Sequence, residues 1–157
     1  MKDIWKIRKW EKVYSHVDQE IKSGVYLRID SRVPMELRES LKRFCAWLRK
    51  SYVFPVRVPI YVKYAYKLLT KDGDLVYGTF FMPDSRMDEP YIRLAVGYYA
   101  SDCEKEGKEI AEARILSCLV HELTHYFQWI NDLNLTSVGA ERQANAYIQK
   151  VLDEYYE

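Results

Sequence analysis

Two of the three histidines in this chain stand in one pentapeptide, His121-Glu122-Leu123-Thr124-His125. Residues i and i+4 lie about one turn apart on one face of an α-helix, so two imidazoles at this spacing can converge on one ion. The flanks predict that helix: Ile110, Leu116, Leu119, Val120, Leu123, Phe127 and Ile130 recur mostly at steps of three and four. Glu122, next to the first histidine, is not aligned to be a ligand beside it. It is placed instead to hold a water activated by the metal.

A catalytic metal also needs a third protein ligand and an open position. His16 is far upstream and reads as a surface residue. Glu141 is the better candidate. It opens the run Glu141-Arg142-Gln143-Ala144-Asn145, where a second helix is predicted with the apolar stripe Ala144, Ile148, Val151, Leu152 and Tyr155. Glu141 falls near the inner edge of that stripe, where a carboxylate is costly unless paired or metal-bound. Asn145 lies one turn further on the same face. An amide there can accept a hydrogen bond from the distal N–H of a ligand imidazole.

His-Glu-Leu-Thr-His followed by Glu141 in a Glu-x-x-Ala-Asn context resembles the gluzincin clan of zinc metallopeptidases. Within that clan it is most similar to small bacterial and phage members such as the ImmA/IrrE-like proteins and the minigluzincins. The resemblance is at motif level from about Tyr91 to the C-terminus and is weak before Val56. It implies a zincin-like α+β fold and one Zn2+ held by His121, His125 and Glu141. It also implies hydrolysis of peptide bonds in a peptide or protein substrate, with Glu122 as general base toward a zinc-activated water. By the same analogy the substrate would add as a strand along Leu75–Met82. A reading from a different class is a zinc-stabilised regulatory or protein-binding domain with little or no turnover.

The remaining sequence must position these helices. At 157 residues, one domain with one core is expected over 1–157. A hydrophobic fraction of 48% beside 30% charged residues is that of a globular protein. Aromatic content is high at 15%, with 14 tyrosines, and reads as a Tyr-rich core and rim. The net charge of +1 gives no global reason to expect nucleic acid, and there is no apolar run long enough for a membrane span. Cys45, Cys103 and Cys118 lack metal or disulfide spacing and read as reduced thiols, which suggests a cytoplasmic location.

Residues 3–23 predict an amphipathic helix on Trp10, Val13, Val17 and Ile21, basic in its first half. Residues 1–24 could thus form an accessory segment. Val25–Ile29 suits a short strand or extended link. A second helix, capped by Asp30 or Ser31, carries Leu37, Leu41, Phe44 and Leu48 and would pack behind a sheet. Alternation over Arg57–Tyr66, Leu75–Met82 and Tyr91–Val96 predicts a three-stranded, at least partly antiparallel sheet. Lys71-Asp72-Gly73-Asp74 is a turn between the first two runs. Pro83–Pro90 and Ser101–Glu109 read as loops. Asn131–Ser137 reads as a short link that makes the two metal helices neighbours, with Thr136 or Ser137 capping the last.

Overall fold

The computed structural model describes residues 3–14 and 23–157 of the chain. Its elements are α1 (Glu11–Tyr14), β1 (Val25–Ile29), α2 (Met35–Ser51), β2 (Val58–Lys63), β3 (Leu68–Leu69), β4 (Leu75–Val76), β5 (Gly78–Phe81), β6 (Tyr91–Ala95), α3 (Tyr99–Glu106), α4 (Lys108–Ile130) and α5 (Ser137–Tyr156). The fold is α+β, as expected, but the sheet is larger than the sequence suggested. Four strands run in the order β1-β2-β6-β5. β1 and β2 are parallel, β2 and β6 are parallel, and only β5 runs antiparallel to β6.

The parallel pairs have a simple cause. β1 and β2 are joined through the 17-residue helix α2, and a parallel pair needs such a crossover. The predicted strand over Leu75–Met82 is split. Leu75–Val76 pairs back on Leu68–Leu69 across the Asp-Gly turn, where Gly73 takes φ +87°, and Gly78–Phe81 then joins β6. The expected loop over Ser101–Glu109 is mostly the helix α3, closed by Gly107 at φ +96°. Its charges read as a loop because they serve one neighbour: Asp102 and Glu106 both pair with Arg114 of α4. Neither Asp30 nor Ser31 caps α2. Pro34 stands at that cap without a side-chain bond, and Asp30 accepts from Arg32 instead.

The N-terminal segment is not one long helix over its described part. Asp3–Trp10 forms turns, and only Glu11–Tyr14 is helical. Packing overrides the helical pattern here. Trp5 is buried against Phe127 and Tyr52, at ring distances of 4.8 and 5.0 Å. The indole of Trp5 donates to Thr124 Oγ1 at 3.1 Å, and the backbone N–H of Ile4 donates to the Tyr147 hydroxyl at 3.0 Å. Val13 is exposed; His16, Val17 and Ile21 lie outside the described residues.

Helices lie on one side of the sheet. α2 packs on β1, and α4 packs on β5 and β6. Between the layers sit Leu37, Leu41, Phe44 and Leu48 of α2, Ile60 and Val62 of β2, Ile92 and Leu94 of β6, and Leu116, Leu119 and Leu123 of α4. Ile110, read as part of the α4 stripe, is 49% exposed, and Ala111 takes the buried place. α5 packs along α4, with Ala144, Val151 and Leu152 buried. Thr136 caps α5 as expected, accepting from Gly139 N–H at 3.0 Å. Among the described residues, no helix is long and apolar enough to cross a membrane.

Candidate metal centre

α4 and α5 are antiparallel neighbours because the link between them is short: Asn131 to Thr136, with Asp132 in the left-handed region at φ +53°. That turn brings the start of α5 beside the last turns of α4. Glu141, in the first turns of α5, therefore faces His121 and His125. Its Oε2 lies 3.1 Å from His121 Nε2, and its Oε1 lies 2.9 Å from His125 Nε2. One donor atom from each of the three residues falls within 4.8 Å of the others.

The far side of each imidazole is held by an amide. His121 Nδ1 lies 2.9 Å from Asn145 Oδ1, and His125 Nδ1 lies 2.8 Å from Gln128 Oε1. An amide oxygen only accepts, so each Nδ1 carries the proton. The Gln128 amide is oriented independently, because its Nε2 donates to Ala140 O at 3.0 Å and to Gln143 Oε1 at 2.9 Å. With Nδ1 protonated, each neutral ring turns its Nε2 lone pair toward a carboxylate oxygen. Two acceptors at this distance repel unless a proton or a cation lies between them. Burial, and then the neighbouring His125, push the His121 imidazole below its ordinary pKa against the pull of Glu141 and Asn145. That disfavours a proton on His121 Nε2 and leaves its lone pair available to a cation. Two imidazoles and a carboxylate suit a divalent metal. Metal bonds of about 2.0–2.1 Å set the donors of a tetrahedral shell about 3.3 Å apart, comparable with the 3.1 and 2.9 Å between each imidazole nitrogen and its nearer carboxylate oxygen.

The triad opens on a cleft of about 840 Å³ lined by β5, α4 and the start of α5. Glu122 lines the same cleft, yet its side chain is largely buried. It rests against β5 at Gly78. A Cβ at Gly78 would lie 3.3 Å from Glu122 Cγ and only 2.6 Å from Cys118 Sγ. Only glycine lets the strand approach the helix this closely. Burial, reinforced by Glu141, pushes the Glu122 carboxyl up to about 8. Arg86 also lines the cleft and is paired with Asp132.

All four residues read from the motif, together with Asn145, therefore meet at one place. One part of the reasoning needs correction. Glu141 is not on a buried edge: its side chain is 60% exposed, against 18% and 15% for the two imidazoles. Its position is set by the two rings rather than by desolvation. Two residues were not foreseen. Gln128 had a signal, since it stands at i+3 from His125 on the same helical face. Gly78 had another, since a glycine inside a strand run marks a close approach.

Compared with family models, curated proteins and solved structures, the chain matches none.

Proposed function

We propose that this chain is a zinc-dependent metallopeptidase of gluzincin type, with Zn2+ held by His121, His125 and Glu141. The observation that carries the reading is the pairing of roles across α4 and α5. Both Nε2 atoms face the Glu141 carboxylate while both Nδ1 protons are taken up by amides. Such orientation of the far ring nitrogen is how proteins fix imidazole ligands. Zinc rather than a harder ion fits a set with two nitrogens and one carboxylate.

Zinc, when bound, lowers the pKa of a water and polarises a carbonyl. The chain's own residues do the rest. Glu122, whose ionised form the charge of a zinc beside it would favour against the burial that raises its carboxyl to about 8, accepts the proton of the attacking water and returns it to the leaving nitrogen. The wall formed by β5 and the exposed mouth of the cleft admit an extended peptide. Among the described residues β5 is the last strand of its sheet and no strand pairs with its outer edge, where such a peptide would add. Gly78 keeps that edge against Glu122, which brings a paired peptide near the general base.

The deciding experiment is Glu122→Gln. The amide keeps the shape and cannot accept the proton. The variant should bind zinc like the parent and lose peptide cleavage by at least about 100-fold. Zinc content, thermal unfolding and cleavage of a peptide library are measured on one preparation. Wild-type cleavage with zinc in place would remove Glu122 as base. Full zinc loading with no cleavage by the parent would instead support the zinc-stabilised binding domain.

A further inference from the structure

The second face of the sheet has no helix on it among the described residues. Alternation points Val25, Ile60, Val62, Ile92 and Leu94 inward, and all are buried. The residues between them point outward. Strands paired in parallel are normally covered on both faces, whereas this sheet, whose first three strands are parallel, is covered on one.

What stands on the open face is ordered by the strand register. One row across the sheet pairs Arg28 with Tyr61, Tyr61 with Arg93, and Arg93 with Thr79. The neighbouring row holds Tyr26 opposite Pro59, and Tyr91 opposite Phe81. The Tyr91 and Phe81 rings stack at 4.8 Å and 17°. Tyr26 is 42% exposed and Phe81 36%. Cations interleave with the rings: Arg28 lies over Tyr26 at 5.1 Å and Lys63 over Tyr61 at 5.3 Å. Among the described residues no carboxylate forms an ion pair with Arg28, Lys63 or Arg93. Glu89 and Asp30, nearby, are matched to Arg57 and Arg32.

We propose that this open face binds single-stranded nucleic acid, with the rings stacking bases and the cations following phosphates. The charge and the rings together select this partner. A sheet of exposed aromatics takes two or three bases of a single strand, and stacking tolerates any sequence because every base has a π-face. Four strands about 4.8 Å apart span about 14 Å, enough for that number of bases. An acidic peptide would use Arg28 and Lys63 and leave the rings idle. A second copy of the chain would bring another face with the same excess of cations against this one. The net charge of +1 does not oppose the proposal, because it averages this face with the rest of the surface. The metal cleft lies on the helical side of the sheet, so the proposal stands independently of the peptidase reading.

The test uses the full chain and a labelled single-stranded oligonucleotide of about 12 nucleotides, a length within the site size of one such platform. Fluorescence anisotropy at low salt should show saturable binding, weakening with salt by a log–log slope of about −0.7 per phosphate neutralised. The double variant Arg28→Ala/Lys63→Ala, at two exposed positions, should weaken binding by about 10-fold or more. Lys42→Ala/Lys50→Ala, an equal charge change on α2, should leave it unmoved. Tyr26→Ala should cost about 10-fold at unchanged far-ultraviolet circular dichroism, because a stacking ring is lost. The proposal is overturned by absence of binding, by equal loss in both charge variants, or by dextran sulfate competing as well per charge as the oligonucleotide. A concentration-dependent dimer abolished by Arg28→Ala/Lys63→Ala would overturn it too, by assigning the face to a second copy.

Discussion

Gln128 gives the sharpest residue-scale test, because it acts on the metal site without belonging to the motif. It accepts from His125 Nδ1 and ties that ring to Ala140 and Gln143 of α5. Asn145 does only the first of these tasks, for His121. Replacing either amide by Ala should weaken zinc binding by roughly 10–100-fold in a competition titration. Gln128→Ala should lie at the stronger end, since it also frees the start of α5. Equal, unchanged affinities would mean that the rings are held by packing alone. His125→Ala should go further and abolish stoichiometric zinc, with a lowered unfolding midpoint, because metal binding is coupled to folding of its site. Zinc retained at one per chain would disprove the ligand set. The motif and Asn145 were legible in the sequence because helical spacing alone puts i and i+4 on one face. The exposure of Glu141 was not, because the distance from its helix to α4 depends on a turn that includes Asp132 at positive φ.

At the scale of elements, the close contact of β5 with α4 carries the site. Gly78→Ala places a methyl 2.6 Å from Cys118 Sγ, nearer than side chains tolerate. Strand and helix must part, and overpacking of this kind costs about 1–3 kcal/mol. Cys118→Ala removes the obstructing sulfur. The double variant Gly78→Ala/Cys118→Ala should therefore be less destabilised than the sum of the single variants in urea unfolding. Strict additivity would show that the two residues do not meet. Alternation found the runs that hold β2 and β6, and the Asp-Gly turn marked the β3–β4 hairpin, but alternation merged β4 and β5 into one strand and left β1 out of the sheet. It could not give the order β1-β2-β6-β5, because parallel partners are chosen by the crossover through α2 and not by local pattern. α3 was lost for a related reason. Its charges look solvated until Arg114, on the next helix, is seen to pair with them.

For the molecule as a whole, the first described residues tie α4 to α5 from outside. Trp5 is 2% exposed, and its indole reaches Thr124, inside the pentapeptide His121–His125. Ile4 and Asp3 add ties to α5 through Tyr147 and Lys150, the latter at 3.1 Å. The segment thus closes the side of α4 that faces away from the cleft. Trp5→Phe keeps most of the packing and removes one donor, leaving Thr124 its own bond to Val120 O. A loss of about 1 kcal/mol is expected, the net value of one hydrogen bond. Trp5→Ala empties a large buried site and should cost about 3–5 kcal/mol. Zinc bound as proposed would stabilise only the folded chain, by about 2.7 kcal/mol at 100 times its dissociation constant. Urea unfolding with zinc in excess and with a chelator should therefore show Trp5→Ala lowered in both states. The increment from zinc should be retained for Trp5→Phe, whose pocket geometry is unchanged. If Trp5→Ala unfolds at the wild-type midpoint in both states, the N-terminal segment is an accessory resting on a domain that is complete without it.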